Sequence, residues 1–179
     1  MDEDTTAGIE SFRVAMESLE RKLQNGAEWS EIIALMDAQS FAEFYLVNEM
    51  LLNKECLCTS FYMYKDGDGD VIHAGPVWDF DTSMDANGAG SSEYFLANHG
   101  LSFSTQTDIF RQLCQYEEFV RLVEDTYNNK YKALYPELVT MVDSLYEHLK
   151  DSADMNYVRW DVLGTTDAKG ELSVTENVY

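Results

Sequence analysis

The fold of this chain is indicated most directly by the stretch Phe61-Tyr62-Met63-Tyr64-Lys65-Asp66-Gly67-Asp68-Gly69-Asp70-Val71-Ile72-His73. Both ends of the stretch are rich in aromatic and β-branched residues, which favour strands. The aspartates and glycines between them are residue types that supply tight turns. The stretch therefore predicts a β-hairpin.

Helical patterns surround this hairpin. The helix through Leu52, which opens with the capping-box pattern Ser40-Phe41-Ala42-Glu43, is apolar on nearly every face, so we expect it to lie in the core. Apolar residues at three- and four-residue steps predict the other helices. These are Thr6–Asn25, Trp29–Met36, Asp108–Leu113, Glu117–Tyr131 and Pro136–Leu149.

The expected fold class is mainly α with a small β-hairpin, an α+β architecture. With 179 residues, 45% of them hydrophobic, the chain can bury one core. We predict one domain over residues 1–163, followed by a polar flexible tail over residues 164–179. The connection from Thr82 to Thr107 is long for a compact domain, and such loops are usually functional or disordered.

The composition limits the classes of partner. Asp and Glu number 33 against 12 Lys and Arg, which gives a formal net charge of −21 and opposes binding to nucleic acid or to anionic membranes. No run approaches the ~20 apolar residues of a membrane span. Cys56, Cys58 and Cys114 match no zinc pattern and are interpreted as small buried hydrophobes. Cations are the expected partners.

Two carboxylates follow the hairpin, in Trp78-Asp79-Phe80-Asp81. Of Asp79 and Asp81, one can bind a metal while the other anchors the loop, and the spacing does not decide which. An Asp-x-Asp pair is a weak motif by itself. In the alternative interpretation, the aromatic residues anchor the core and the aspartates cap a turn or the next helix.

The order of the elements favours the functional interpretation. In protein kinases a long core helix leads to a catalytic loop, then to a two-stranded hairpin, and then to a metal-binding aspartate. The segments Phe41–Leu52, Asn53–Ser60 and Phe61–Ile72 follow in that order and lead to Asp79.

The hairpin turn also resembles the opening of a calcium-binding loop. Asp66, Asp68 and Asp70 have the alternate spacing of an EF-hand, but Val71 stands where that loop needs glycine and Val77 where it needs a bidentate glutamate. We interpret the segment as a turn with weak cation affinity. A calcium-dependent surface protein is kept as an alternative. His73 has no partner spaced for a triad or a zinc site and is interpreted as structural or exposed.

Four segments taken together carry a more specific signal. They are Phe44-Tyr45-Leu46-Val47-Asn48-Glu49, Asn53-Lys54-Glu55, Ser60-Phe61-Tyr62-Met63-Tyr64-Lys65-Asp66 and Gly75-Pro76-Val77-Trp78-Asp79-Phe80-Asp81. This combination resembles the CotH family of spore-coat and secreted kinase-like proteins. Phe119-Val120-Arg121 and Tyr157-Val158-Arg159-Trp160 resemble the C-terminal helices of that family, so the resemblance spans most of the chain.

The resemblance implies an atypical protein-kinase-like fold that binds ATP with Mg²⁺ or Mn²⁺ and phosphorylates Ser or Thr residues of proteins. By position, Asp79 would be the metal-binding aspartate, and Asp81 would support it as a second candidate metal ligand. Glu55 falls at the position of the catalytic-loop acid, and Asn53 precedes it, so both are candidate catalytic residues. Ser60 falls where kinases carry a metal-binding asparagine, so Ser60 and Asp79 are the candidate cofactor-binding residues.

Two features depart from the pattern of the family. Glu55 has one more methylene than the usual aspartate, which would displace its carboxylate by more than ~1 Å, and a displacement of that size can reduce a rate about a hundredfold. There is no glycine-rich phosphate loop, and there is no early lysine on a plausible strand paired with a helix glutamate. The early Lys22 lies on a predicted helix. We therefore expect the chain to be the C-terminal lobe of a larger domain and to be inactive alone.

The same departures support an alternative of a different class. The chain could be a catalytically degenerate kinase-like module for binding or assembly in a spore coat or at a cell surface. In either case the resemblance implies a spore-coat, cell-surface or secreted location in bacteria. The implied partner is a protein substrate or a coat or cell-surface protein.

Overall fold

The computed structural model describes residues 3–53, 56, 60–80, 83 and 108–161. The described residues form a two-stranded antiparallel sheet, β1 (Met63–Tyr64) with β2 (His73–Ala74), and six α-helices. The helices are α1 (Glu3–Gln24), α2 (Trp29–Ile32), α3 (Ala38–Met50), α4 (Asp108–Leu113), α5 (Glu117–Thr126) and α6 (Lys132–Arg159). The predicted class, mainly α with a small β-hairpin, is confirmed.

Helix α3 lies in the centre of the core. Its side chains Phe41, Phe44 and Tyr45 are buried, and their rings lie 5.5 to 6.2 Å from the ring of Phe110 on α4. Tyr45 also contacts Phe119 of α5 at a centroid distance of 6.3 Å. Aromatic pairs at such distances contribute about 0.5–1.5 kcal/mol each beyond the burial of their area. The apolar surface all round this helix is therefore explained by neighbours on several sides.

The N-terminal helices cover another side of the same core. Leu19 and Leu23 of α1 and Ile32 of α2 are buried in it. Trp29 stacks obliquely on Tyr116 at a centroid distance of 5.5 Å. The three- and four-residue steps of the first helix mark the face that packs from Phe12 onward, whereas Ile9 near its start is 56% exposed.

The start of α3 differs from the capping-box prediction. The N-cap is Asp37, whose Oδ1 accepts the backbone N–H of Gln39 at 3.0 Å. Ser40 lies inside the first turn, where its Oγ donates to the Asp37 carbonyl at 2.8 Å and accepts the N–H of Ala74 at 3.1 Å. Aspartate caps a helix as well as serine does, so capping preference alone does not choose the N-cap residue. The hydrogen bond between Ser40 and Ala74 of β2 favours Asp37 as the N-cap. Ser40 joins α3 to β2 instead.

The hairpin is shorter than predicted, with two paired residues in each strand. Asp70 closes its turn, because its carboxylate accepts the backbone N–H groups of Asp66 at 3.0 Å and Val71 at 2.8 Å. These two hydrogen bonds are the largest causes that lower the pKa of Asp70. The Asp70 carboxylate is thus engaged within the turn, as the interpretation of this segment as a hairpin turn requires.

The hairpin is docked on the connection between α2 and α3. Ile72 donates its N–H to the Leu35 carbonyl and accepts the N–H of Asp37 at its own carbonyl, both at 2.9 Å. The Ile72 side chain is fully buried in the core. The second strand therefore has a fixed position relative to α3.

Helices α5 and α6 are continuous through a π-helical turn, Tyr127–Tyr131. The prediction of a separate helix beginning at Pro136 is wrong, because Pro136 lies inside α6. Proline cannot donate a backbone hydrogen bond. The bond that Pro136 cannot make belongs to the first turn of α6, next to the π-helical turn, where α-helical bonding is already interrupted. The proline therefore does not end the helix.

The apolar stripe predicted on the last helix is present, but the described residues do not cover it. Val142, Leu145 and Leu149 are 61%, 50% and 54% exposed. The periodicity over Pro136–Leu149 correctly predicts helical structure there, within the longer α6, and carries no information about what covers the stripe. Within the described ranges, no helix combines the length and apolarity that a crossing of a bilayer requires.

Candidate functional site

The segment after the hairpin brings Asp79 to the surface. Gly75 donates its N–H to the Tyr62 carbonyl at 2.9 Å, and its φ of 127° lies in a region that favours glycine. Asp79 has a φ of 66°, the left-handed region that aspartate tolerates better than most side chains. Backbone of this kind is concentrated at functional sites. The Asp79 side chain is exposed.

The loop that follows α3 meets this segment at Ser60. The Ser60 side chain is buried, and its Oγ donates a hydrogen bond to Asp79 Oδ2 at 3.3 Å. This distance is longer than the roughly 2.5–3.0 Å of a strong O–H···O bond, so the contact orients Asp79 without binding it tightly. Two residues predicted for one site are therefore neighbours, although a whole hairpin separates them in the chain.

Asn53 lies at the other end of this loop, where the chain leaves α3. Its Nδ2 donates to Asn48 Oδ1 at 2.9 Å, and Asn48 Nδ2 donates to the Phe44 carbonyl at 2.8 Å. Both asparagines are buried. Cys56 donates its thiol to the Asn53 carbonyl at 3.0 Å. These bonds fix the beginning of the loop on the core helix.

One acceptor of this network is unsatisfied. Within the part of the chain that the structure describes, Asn53 Oδ1 is buried and has no hydrogen-bond partner. A buried acceptor left unpaired costs roughly 1–3 kcal/mol, and such atoms in native proteins usually serve a water molecule, an ion or a functional role. Asn53 Oδ1 is therefore a candidate acceptor for a water molecule or a ligand group.

Two predicted site residues, Glu55 and Asp81, lie outside the described residues. Their assigned roles stay predictions. The same is true of Cys58, of nearly all of the loop between residues 82 and 107, and of the tail at residues 164–179.

The alternative interpretation of Trp78-Asp79-Phe80-Asp81, in which the aromatic residues anchor the core, is wrong for Trp78. This side chain is 60% exposed, and the neighbouring Val77 is 47% exposed. Phe80 is partly buried, and its carbonyl accepts the N–H of Ser83 at 3.1 Å. Asp79 thus lies between an exposed aromatic residue and a partly buried one.

The donor chemistry around Asp79 suits a hard divalent cation. An exposed carboxylate beside a hydroxyl offers oxygen ligands, and Mg²⁺ is commonly bound by one or two carboxylates together with phosphate oxygens and water. Among the described residues, no group of three or more His, Cys, Asp or Glu side chains is placed to hold a metal ion. The described residues therefore offer an exposed carboxylate and a neighbouring hydroxyl, and they do not form a closed protein cage.

Sequence reasoning missed the residues that support the site. Asn48 follows the apolar run Phe44-Tyr45-Leu46-Val47 of α3, and a polar residue at the end of such a run is the available signal. The sequence offers His73 no partner spaced for a triad or a zinc site, and in the structure its ring contacts the carboxylates of Asp37 and Asp70. No sequence signal could find the contact with Asp37, because it depends on how the hairpin docks on α3.

Comparison with known proteins assigns the family. A family model described as CotH kinase protein matches residues 2–178, which include every segment that carries the resemblance noted from the sequence. Searches of curated proteins and of solved structures give no significant match. The extent of the family match decides the assignment: this chain belongs to the CotH kinase protein family.

Proposed function

We propose that this chain is the metal-binding and catalytic-loop part of a CotH-like atypical protein kinase, which transfers phosphate from ATP to Ser or Thr hydroxyl groups of proteins. Membership in a kinase family supports the use of a nucleotide and a metal in general. The observation that carries the proposal is the contact between Ser60 Oγ and Asp79 Oδ2. It joins the loop after the core helix to the residue after the hairpin, a juxtaposition on which kinases rely.

Asp79 is the principal protein ligand for Mg²⁺ or Mn²⁺ in this proposal, and Asp81 supports it. When bound, ATP would supply the phosphoryl group and the metal would neutralise charge on its phosphates. Ser60 orients the Asp79 carboxylate through its hydroxyl. The exposure of Asp79 leaves the carboxylate accessible to a metal bound to a triphosphate.

The loop residues have separate tasks. Glu55 would accept the proton of the substrate hydroxyl group, the task of the catalytic-loop aspartate in kinases. Asn53 anchors the loop through Asn48 and keeps its own Oδ1 available as an acceptor. Residues 1–163 would form the lobe that carries these groups, with residues 164–179 as a polar tail.

The first test is a calorimetric titration of Mn²⁺ in the presence of ATP. Replacing a charged ligand removes an interaction of roughly 1.5–3 kcal/mol, so Asp79→Asn should weaken Mn²⁺ binding about tenfold or more. Asp68→Asn is the matched control, because it makes the same change of charge at an exposed position in the turn of the hairpin that precedes Asp79. Equal affinities for the wild type and Asp79→Asn would remove Asp79 from this role.

A second candidate is a non-catalytic kinase-like module that assembles a spore coat or a cell surface. Ser60 favours it, because its hydroxyl donates to Asp79 where kinases place a metal-binding asparagine. Transfer of radiolabelled phosphate by the full-length protein, abolished by Asp79→Ala, would decide for the kinase. No transfer with any divalent metal would decide for the module.

A further inference from the structure

An open cavity of about 500 Å³ lies where four parts of the fold meet: α2, the connection from α2 to α3, the second half of the hairpin, and α5. Trp29, Ile33, Asp37, Glu118 and Leu122 are among the residues that line it. Clefts that bind ligands in proteins measure about 300–1,000 Å³ and combine apolar walls with a few polar groups. This cavity has that size and that mixture, and it is separate from the residues proposed to bind the metal.

The apolar part of the cavity is built on the core. The Trp29 ring packs against Tyr116 at a centroid distance of 5.5 Å and against Phe119 at 6.4 Å, and it is still only half-buried. Ile33 and Leu122 add aliphatic surface, and Ile33 is 44% exposed. Tryptophan is the aromatic side chain that attracts cations most strongly. This surface therefore suits a flat cationic group that ends an aliphatic chain.

The cavity also carries negative charge. Asp37 and Glu118 line it, whereas no lysine or arginine does so within the described part of the chain. Glu118 is exposed and makes no ion pair with the residues that the structure describes. Asp37 accepts the N–H of Gln39 with one oxygen, which holds its carboxylate at the start of α3. The cavity therefore presents one fixed carboxylate and one that is free to pair with a ligand.

The basic side chains on the surrounding elements are engaged elsewhere. Arg121 of α5 donates to Glu117 at 2.7 Å, and Lys65 of the hairpin donates to the Asp68 carbonyl at 3.4 Å. Neither of them lines the cavity. The negative charge of the cavity is therefore not balanced by these neighbours.

His73 does not change the sign of this charge. Its ring lies between Asp37 and Asp70, and it lines the cavity together with Glu118. A protonated ring would supply one positive charge against these three carboxylates, and a neutral ring would supply none. The cavity is therefore negative in either state, and the formal net charge of −21 over the whole chain also attracts basic partners.

We propose that this cavity is a docking site for a basic segment of a partner protein, and that it takes the side chain of an arginine in that segment. The guanidinium group stacks on Trp29 and pairs with Glu118, and Asp37 adds a second carboxylate. The aliphatic stem of the arginine contacts Ile33 and Leu122. Charge complementarity and the aromatic surface carry this proposal, which is independent of phosphate transfer.

Two properties of the cavity favour an arginine of a protein over other cations. A guanidinium group is flat, stacks on aromatic rings and binds a carboxylate through parallel N–H groups, whereas the ammonium group of lysine is a strongly hydrated point charge. The cavity is open, so a small free cation would gain little from partly exposed carboxylates. A protein segment also covers the exposed surface of Ile33, and burial of apolar area stabilises the complex.

An NMR titration of the isotope-labelled whole chain, without ATP or metal, tests the proposal. The probe is a capped eight-residue peptide of alanine and serine with one central arginine between two leucines. We expect saturable shifts of the indole signal of Trp29 and of the amides of Ile33 and Glu118. The peptide is raised to about 10 mM, which covers dissociation constants in the low millimolar range. No shift of the Trp29 signal over this range would overturn the proposal.

Variants of α5 distinguish the cavity from the overall charge of the chain. Glu118→Gln removes a charge from the cavity at an exposed position, so it should weaken binding roughly three- to fivefold, the size expected of a partly exposed ion pair. Glu124→Gln is the matched control, because it makes the same change on the same helix at an exposed position outside the cavity. It should bind as the wild type does. Equal affinities for the two variants would overturn the proposal.

Changes in the probe identify the group that binds. Replacing the arginine of the peptide by lysine should weaken binding several-fold, and replacing it by glutamine should abolish the shifts, because only arginine both stacks and pairs. An unchanged affinity for either peptide would overturn the assignment to arginine. Arginine amide alone should bind more weakly than the peptide, and equal binding would overturn the assignment to a protein segment. None of these measurements uses Mn²⁺ or ATP, so their outcome is separate from that of the proposed kinase function.

Discussion

Asn53 donates its side-chain amide to Asn48 Oδ1 at 2.9 Å, and both residues are buried. This bond ties the first residue of the proposed catalytic loop to the core helix α3. The other end of the same loop, Ser60, contacts Asp79. The loop is therefore held at both ends, by the core helix and by the segment that follows the hairpin.

The bond between the two asparagines predicts a large loss of stability for Asn48→Ala. The change leaves Nδ2 of Asn53 without its acceptor in a buried place, so the free energy of unfolding should fall by roughly 1–3 kcal/mol. Urea denaturation measures it. The matched control is Asn128→Ala. Asn128 Nδ2 donates to the Glu124 carbonyl four residues earlier at 2.9 Å, as Asn48 Nδ2 does to the Phe44 carbonyl, but on an exposed surface. Equal losses for the two variants would contradict this account of Asn48.

Ser60→Ala should weaken metal binding while changing the stability of the fold only slightly. The lost bond is long, at 3.3 Å, so the free energy of unfolding should fall by less than about 1 kcal/mol. Affinity for Mn²⁺ with ATP should fall several-fold, because the Asp79 carboxylate loses its orienting contact. Ser60→Thr keeps the hydroxyl and should retain the affinity of the wild type. An affinity unchanged in Ser60→Ala would show that Asp79 needs no partner at this position.

The ion pair between Lys130 and Glu43 predicts a pH-dependent change of stability. Lys130 Nζ lies 2.9 Å from Glu43 Oε1, and this hydrogen bond is the main cause that lowers the pKa of Glu43. A depressed pKa stabilises the folded chain above the ordinary pKa of glutamate, and the gain is lost as pH falls through the lowered value. Lys130→Met should reduce stability at neutral pH by about 0.2–1 kcal/mol, since the pair is partly exposed.

The difference between Lys130→Met and the wild type should disappear in acid, which thermal unfolding at a series of pH values can measure. Lys150→Met is the control. Lys150 pairs with Glu147 within α6 and joins no two elements, so its replacement should leave stability nearly unchanged. A difference for Lys130→Met that persists after Glu43 is protonated would point to lost packing of the lysine stem.

Much of the fold follows from local pattern. The helix at Asp108–Leu113 is found at the predicted bounds, and α1 differs from its prediction by a few residues at its start. Periodicity predicts these helices because one side of each packs on the core. The capping of α3 by Asp37 and the uninterrupted helix through Pro136 could not be predicted, because a tertiary bond of Ser40 and a π-helical turn decide them.

The candidate site, too, was predictable from the sequence only in part. The order of helix, loop and hairpin predicts that the loop after the core helix lies near Asp79, because a hairpin returns the chain close to its own start. Ser60 is identified within that loop only through the resemblance to the CotH family, and its contact with Asp79 is found in the structure. The contact of Asn53 with Asn48 and that of His73 with Asp37 depend on how loops dock on α3. Alternation and spacing describe one element at a time, so they cannot report such contacts.

The most direct test of the central claim is to locate bound Mn²⁺ by the line broadening that it causes in NMR spectra of isotope-labelled protein with ATP. The account predicts that the signals of Ser60 and Trp78 broaden first, and that Asp79→Asn abolishes this broadening while Asp68→Asn preserves it. Broadening centred on the turn between Asp66 and Asp70, or broadening around Ser60 that Asp79→Asn leaves unchanged, would contradict the claim that Asp79 holds the metal.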